Sequence, residues 1–266
     1  MNHSLTFYID RKSFLHSRNP LTKLTVTLTL MTAGFASPWP WAPFAMFFAF
    51  ILPLAIIGRV ATPFLKALAA MYLPFAFFLF LIHGFFHPAS DDELLRIWIF
   101  SVQESALLYA AKTAGQVLVM LSSCVLLFLT THPGRLMQDL QRRGLHWSIP
   151  YIVCSTLQIL PLIRQRVRTI LEAQQSRGLD TGGSLMARFK SLLPLVGPLF
   201  YGIMLDVEDR ALALESRAVM RKGSRSFLVE IPDPAGERVF RYCCLTIMVG
   251  MIGLRTWQVM TSLWYR

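Results

Sequence analysis

Apolar runs long enough for membrane helices alternate with short polar segments along most of this chain. The first two runs, residues 24–36 and 42–57, flank a turn at 37–41 that holds two prolines and two tryptophans. Tryptophan favours the membrane–water interface, and proline favours turns. Each run is shorter than the about 20 residues that a membrane span needs. The pattern therefore predicts a helical hairpin whose first arm also takes in residues 20–23.

Three further apolar segments, residues 67–86, 105–131 and 239–261, complete a prediction of five spans. The loop at 58–66 contains two basic residues and no acidic one, whereas the segment 87–104 contains four acidic residues and one arginine. Basic loops stay in the cytoplasm of membrane proteins. We therefore expect the N-terminus in the cytoplasm, the segment 87–104 outside, and the C-terminus outside.

The composition supports an all-α integral membrane protein. Of the 266 residues, 54% are hydrophobic and 15% are charged, whereas about a quarter are charged in a typical soluble domain. The net charge of +11 fits cytoplasmic loops better than nucleic-acid binding, since no nucleic-acid-binding motif accompanies it. The first 23 residues are polar and basic without an apolar core, so we expect no cleavable signal peptide.

The charged residues concentrate in the block that follows the fourth span. Residues 132–241 contain 16 of the 26 basic residues and 10 of the 15 acidic ones. A short amphipathic helix is predicted at 135–143, closed by Gly144, because glycine is the usual residue after a helix end. Two long helices follow, each apolar first and charged later. The predicted domains are thus a four-helix membrane domain at 1–131, a cytoplasmic coupling domain at 132–238, and a final span within 239–266.

Each long helix ends in an arginine between two small residues. These tripeptides, forty residues apart, are Ser176-Arg177-Gly178 and Ser216-Arg217-Ala218. Small neighbours allow another protein surface to approach closely, and a guanidinium offers five donors in a fixed fork. An alternative is that each arginine only complements its helix dipole, an effect of about 0.3 to 1 kcal/mol. The recurrence in similar surroundings favours two anchors for partner proteins.

Several segments resemble one known family, the T component of energy-coupling factor (ECF) transporters, also called the EcfT/CbiQ family. They are LHSRNPLTKL at 15–24, LQRRGL at 140–145 and AQQSRG at 173–178. The resemblance implies a non-catalytic scaffold subunit of a vitamin or metal-ion importer in the plasma membrane, without a cofactor. It also implies three partners: two ATP-binding cassette ATPases and a membrane-embedded substrate-binding subunit, the S component.

The resemblance also implies roles for particular residues. The family's two arginine tripeptides dock into one ATPase each, so the tripeptides at 176–178 and 216–218 of this chain are the expected docking sites. The family's common glycine is replaced by Ala218, from which we expect a less sharp end of the second helix than of the first. Pro161, Pro194 and Pro198 are candidate bending points of the two helices, with ordinary helix-breaking at a membrane interface as the alternative.

Two other functional classes remain open on the sequence. His83 and His87 have the i, i+4 spacing of metal ligands on a helix, with Asp91 as a third candidate for a membrane metalloenzyme. A conventional permease or channel would line its path with polar groups, and the apolar segments offer mainly Lys112, Gln116 and Gln158. The sequence contains no GxxxxGK[ST] motif, so we expect ATP hydrolysis to belong to partners. The transported substrate is not indicated.

Overall fold

Ten α-helices, one π-helical turn and a short β-hairpin make up the part of the chain that the structure, a computed structural model, describes. That part comprises residues 13–85, 93–97, 100–179, 185–219 and 232–264. The predicted all-α class of an integral membrane protein is confirmed. The hairpin was not predicted: β1 (Glu93–Ile97) pairs antiparallel with β2 (Phe100–Gln103) in the segment expected as an outer loop.

The predicted helical hairpin is present at the start of the chain. After the single turn α1 (Phe14–Ser17), helix α2 (Pro20–Ala36) begins where the Asn19 side chain accepts a hydrogen bond from the Leu21 amide. Asparagine is a preferred residue at this capping position, and proline suits the first helical turn. The second arm consists of α3 (Ala42–Met46), a π-helical turn (Phe47–Ile51) and α4 (Leu52–Ile57).

The π-helical turn has a local cause in the sequence. Pro53 follows it closely and has no backbone N–H, so the regular bond back to the carbonyl of Ala49 cannot form. A π-helical turn widens the helix over a few residues, and such turns are often found at functional sites. Within this turn Phe47 and Ile51 are buried against neighbouring helices, whereas Phe50 is exposed.

Three helices in the described part of the chain are long and apolar enough to cross a membrane. They are α5 (Ala61–Phe85), α6 (Glu104–Thr130) and α10 (Ala235–Trp264). The two arms of the first hairpin are shorter, so the predicted count of five spans stays a prediction for those two arms. Helix α10 begins at Ala235, whereas we expected a polar linker up to residue 238. Pro234 and the first-turn acid Glu237 explain the earlier start, because both favour a helix N-terminus.

Contacts divide the chain into two compact units. The larger unit comprises residues 7–150 and 231–266. Its core lies where the hairpin packs on α5 and α6, around the fully buried side chains of Ile51, Phe64 and Val119. In contrast, Phe77 on α5 is 65% exposed and Leu254 on α10 is 67% exposed. Large exposed apolar side chains on long apolar helices are typical of a lipid-facing surface.

A carboxylate of α10 fixes the start of α2. Glu237 accepts hydrogen bonds from the Asn19 amide at 3.0 Å, from Arg18 Nη1 at 3.1 Å and from Thr22 Oγ1 at 3.1 Å. Asn19 is 1% exposed, and its side chain also donates to the Pro232 carbonyl. These bonds explain why this end of α2 combines a capping asparagine with polar neighbours, since buried polar groups need partners.

A second polar cluster joins α10 to the short helix α7 (Pro133–Arg142). Asp233 Oδ2 accepts from Arg241 at 3.0 Å and from Arg143 at 2.9 Å, and Arg241 is only 5% exposed. The hydrogen bond from Arg241 lowers the pKa of Asp233. Burial raises the pKa of the neighbouring Asp139 carboxyl. The cluster thus holds α7 and the start of α10 together through charge pairing at the edge of the membrane helices.

The smaller unit comprises mainly residues 151–230. It contains nearly all of α8 (Ser148–Ser176) and all of α9 (Leu185–Ser216). We expected helices at 149–177 and 192–222, so the first bounds are nearly right, while the second helix begins seven residues earlier and ends sooner. Both helices run unbroken through their internal prolines, Pro161, Pro194 and Pro198. A bending role for these prolines stays a prediction, as does the division into three domains.

Candidate functional site

The two arginine tripeptides form helix ends of the same geometry. At the end of α8, the Gly178 amide donates to the Gln175 carbonyl at 2.9 Å and the Leu179 amide donates to Gln174 at 3.0 Å. At the end of α9, Ala218 donates to Glu215 at 2.9 Å and Val219 donates to Leu214 at 3.1 Å. This pair of bonds is the Schellman motif, which satisfies the last carbonyls of a helix. Each arginine therefore occupies the C-cap position.

The expected difference between the two helix ends is wrong. Gly178 adopts a φ of 91° and Ala218 a φ of 50°, so both residues take the left-handed conformation that terminates a helix. This conformation costs an L-residue with a Cβ about 1 to 2 kcal/mol, whereas it costs glycine little. The hydrogen bonds of the motif hold Ala218 there despite that cost. The second helix consequently ends as sharply as the first.

The surroundings of both arginines are open. Arg177 and Arg217 are exposed, and neither guanidinium has a hydrogen bond or ion pair among the described residues. The serine before each arginine bonds to its own helix: Ser176 Oγ donates to the Glu172 carbonyl, and Ser216 Oγ donates to the Ala213 carbonyl. Each end thus presents one unpaired fork of donors, flanked by small side chains whose polar groups are already satisfied.

An ion pair joins α8 to α9 within the smaller unit. Arg166 donates from Nη1 to Asp206 Oδ2 at 2.7 Å and from Nη2 to Oδ1 at 3.0 Å. Gly202 lies directly against this arginine, since a Cβ there would come within 2.9 Å of Arg166 Nη1. A two-bond arginine–carboxylate pair fixes orientation as well as distance. We call Arg166, Gly202 and Asp206 the clasp.

The clasp and the two arginines share one spacing. Arg166 precedes Arg177 by eleven residues, and Asp206 precedes Arg217 by eleven residues. Eleven residues make about three turns of helix and rise about 16 Å. The helical segment between the clasp residue and the arginine therefore has the same length in α8 and in α9, and the arginine lies on nearly the same face as the clasp residue. We call these two segments, residues 166–177 and 206–217, the clasp arms, as distinct from the arms of the first hairpin.

Sequence reasoning identified the tripeptides but missed the clasp. The pattern of apolar and charged residues predicts the two helices but does not distinguish Arg166, Gly202 and Asp206 from their neighbours. A signal was available, because Arg166 and Asp206 have opposite charges and are forty residues apart, the same separation as the two tripeptides. Docking of the tripeptides to ATPases stays a prediction.

The two alternative functions, a membrane metalloenzyme and a conventional permease or channel, depend on other residues of the chain. No group of three His, Cys, Asp or Glu side chains there could hold a metal ion. The side chain of His83, and the residues His87 and Asp91, lie outside the described part. Lys112 and Gln116 are partly buried on α6, and their place in a transport path stays untested.

Comparisons with known proteins agree on one family. The model of the CbiQ family, described as a cobalt transport protein, matches residues 11–220, which is more than three quarters of the chain. A relative from Thermanaerovibrio acidaminovorans, named energy-coupling factor transporter transmembrane protein EcfT, is 29% identical over 227 residues, covering 79% of this chain and 80% of the relative.

Two further relatives carry the same name. One from Listeria innocua is 28% identical over 220 residues, covering 79% of this chain and 82% of the relative. One from Limosilactobacillus fermentum is 41% identical over 71 residues, covering 26% of this chain and 27% of the relative. The similarity to the first two thus runs along most of both chains, while the third match is higher in identity over a shorter stretch.

Proposed function

Since the chain belongs to the CbiQ family of cobalt transport proteins and is a transmembrane component of an energy-coupling factor transporter, we propose that it couples two ATPases to a separate substrate-binding subunit. The protein itself is non-catalytic, and ATP hydrolysis takes place in the partner subunits. It lies in the plasma membrane with its N-terminus and the segment 132–238 in the cytoplasm and its C-terminus outside.

The single observation that carries the proposal is the pair of matched arginine ends. A dimer of ATPases offers two equivalent surfaces, and the chain presents two helix ends with the same Schellman bonds and the same exposed arginine. Each end follows the clasp by the same eleven residues. Ser176, Arg177 and Gly178 dock on one ATPase, and Ser216, Arg217 and Ala218 dock on the other. An exposed arginine fork suits a carboxylate in a partner's groove.

The clasp gives this scaffold a point of rotation. When the two ATPases approach each other on binding ATP, they move the two arginine ends and change the angle between α8 and α9. The pair Arg166–Asp206 keeps the helices in contact at one level while the angle changes. The apolar residues of both helices before the clasp, such as Leu160 and Phe200, are exposed. The S component binds to these apolar surfaces, so a change in the angle between α8 and α9 moves the S component.

Charge reversal at both arginines tests the docking. Arg177→Glu combined with Arg217→Glu replaces each donor fork by a carboxylate, and we expect co-purification of the ATPases and substrate uptake to be lost. Arg164→Glu is the matched control, because Arg164 is also an exposed arginine on α8 but is not part of a helix end. Intact co-purification and uptake in the double variant would rule out docking through the arginines.

In this proposal the S component, and not the present chain, binds the transported substrate. The family description names cobalt, and vitamins or metal ions are the substrate classes that the resemblance implies. Identification of the membrane proteins that co-purify with the chain from solubilised membranes would reveal the S component and with it the substrate class. If the purified chain transported a substrate without an ATPase, it would be a conventional permease or channel instead.

A further inference from the structure

The larger unit contains a cavity that the coupling function does not use. It measures about 750 Å³ and is lined by α2, the second arm of the hairpin, α6 and α10. Its walls are mainly apolar and include Val26, Leu30, Leu54, Leu126 and Phe240. A cavity with such walls offers too few polar partners to hold ordered water. It is suited to a hydrocarbon group.

Charged and polar side chains gather at one end of this cavity. Arg18 lies just before α2 and Lys23 in its first turn, Thr130 lies at the end of α6, and Glu237 lies in the first turn of α10. All four line the cavity. The other lining residues are mainly apolar and come from farther along α2, from the second arm, and from α6 and α10. The cavity is therefore charged at one end and apolar over the rest, as a phospholipid is.

Lys23 is the cation that a ligand would meet at this end. Its side chain lines the cavity although the residue is only 9% exposed, and its ammonium donates to the Thr130 carbonyl at 2.9 Å. An ammonium has three N–H donors, and among the described residues this carbonyl is its single hydrogen-bond acceptor. A buried ammonium with donors to spare favours an anionic partner.

The acid at the same end does not cancel this charge. Both oxygens of Glu237 are occupied by three donors, Arg18, the Asn19 amide and Thr22. The negative charge of Glu237 is thus paired with Arg18, and its oxygens hold the start of α2. The positive charge that a ligand's polar group meets at this end is therefore that of the Lys23 ammonium.

The cavity opens sideways, towards the surroundings of the helices. Phe50 and Ile57 both line it and are 57% and 52% exposed. Phe50 lies in the π-helical turn, and Pro53, which causes that turn, is also a lining residue. In a membrane protein, side chains exposed on apolar helices contact lipid. A lipid chain can therefore enter from the bilayer without crossing an aqueous phase.

We propose that this cavity binds one anionic phospholipid, with an acyl chain between α2, α6 and the π-helical turn and the phosphate on the ammonium of Lys23. The proposal rests on the larger unit alone and does not depend on docking to ATPases. It gives the π-helical turn of the second arm a role, because this turn contributes Phe50 to the wall that the acyl chain contacts.

Native mass spectrometry of the purified full-length chain tests this site. The detergent-solubilised protein is stripped of lipid and titrated with dioleoylphosphatidylglycerol or with the zwitterionic dioleoylphosphatidylcholine. We expect one tightly retained phosphatidylglycerol and at least tenfold weaker retention of phosphatidylcholine. Lys23→Met should lower phosphatidylglycerol retention about tenfold, whereas Lys23→Arg should keep it. Lys66→Met, at an exposed lysine on α5 away from the cavity, is the matched control.

A second variant keeps the test valid if Lys23→Met does not fold. Val26→Trp fills the apolar part of the cavity and leaves Lys23 in place, so it should lower the retention of phosphatidylglycerol at least tenfold. Equal retention by the wild type and Val26→Trp would overturn the proposal, and so would equal retention of the two lipids. A loss of retention in Lys66→Met as large as in Lys23→Met would also overturn it.

Discussion

At the scale of single residues, Ala218 shows that a helix end can be set by its hydrogen bonds against the preference of the residue. Both ends use the same two bonds, yet one has glycine and the other alanine at the left-handed position. The sequence predicts where the first helix ends because Gly178 is a typical terminator. It could not predict the end at Ser216, because alanine is the strongest helix former and its presence at position 218 predicts that the helix continues.

Exchanging these two residues should therefore have opposite effects. Ala218→Gly removes the strain of the left-handed conformation and should stabilise the last turn of α9 by about 1 kcal/mol. Gly178→Ala adds that strain and should destabilise the last turn of α8 by about as much, since a Cβ there meets open space. Hydrogen exchange of the amides in these two turns measures both effects, with about a fivefold change in protection expected at each end.

Gly197 supplies the control for this pair. A Cβ added at this residue would also meet open space, but Gly197 lies inside α9 and has no positive φ. Gly197→Ala should stabilise its helix, because alanine is the better helix former by about 1 kcal/mol. If Gly178→Ala raised protection as Gly197→Ala should, the left-handed conformation at residue 178 would not be what ends the helix.

At the scale of helices, the clasp fixes which faces of α8 and α9 contact each other. The pattern of apolar and charged residues does not predict this contact. The change from an apolar first half to a charged second half predicts both helices, and the predicted bounds of α8 are nearly right. The contact of Arg166 with Asp206 depends on which faces of two separate helices come together. Gly202 allows the close approach, but a glycine inside a helix gives no sign of its partner. The early start of α9 was not predicted because Arg188, Lys190 and Ser191 interrupt the apolar residues before position 192, where the continuous apolar run begins.

Exchanging the charges of the clasp tests its role in coupling. Arg166→Asp alone places two carboxylates against each other and should reduce substrate uptake at least tenfold, while both ATPases still co-purify because the arginine ends remain. Adding Asp206→Arg restores an opposite pair and should recover most of the uptake. A double-mutant cycle on the uptake rates, which also includes Asp206→Arg alone, isolates the coupling between the two positions.

Two results would contradict a clasp that acts in coupling. One is an uptake in Arg166→Asp equal to that of the wild type. The other is a double variant that is no better than the single ones, since then the charge pair itself would not matter. Arg168→Asp is the matched control, because Arg168 is 82% exposed and pairs within its own helix with Glu172. Its replacement should change uptake little, as exposed ion pairs contribute about 0 to 1 kcal/mol.

At the scale of the whole molecule, clasp arms of equal length suit a partner with two equivalent surfaces. Two linked binding sites gain about 10² to 10⁴ in affinity when both can bind at once, and they lose that gain when their geometry forbids it. The common spacing of eleven residues between clasp and arginine is thus a geometric requirement of the proposed function. The sequence contains this spacing, but its meaning depends on knowing that Arg166 and Asp206 touch.

Lengthening the clasp arms tests this requirement directly. Seven helix-forming residues inserted between the clasp and the arginine extend a clasp arm by about 10 Å and keep the arginine on nearly the same face. The insertion in α8 alone should weaken binding of the ATPase dimer at least a hundredfold, because only one end can dock. The same insertion in both α8 and α9 restores equal clasp arms and should recover binding. Equally weak binding of both variants would contradict a requirement for equal clasp arms, since total length rather than symmetry would then decide.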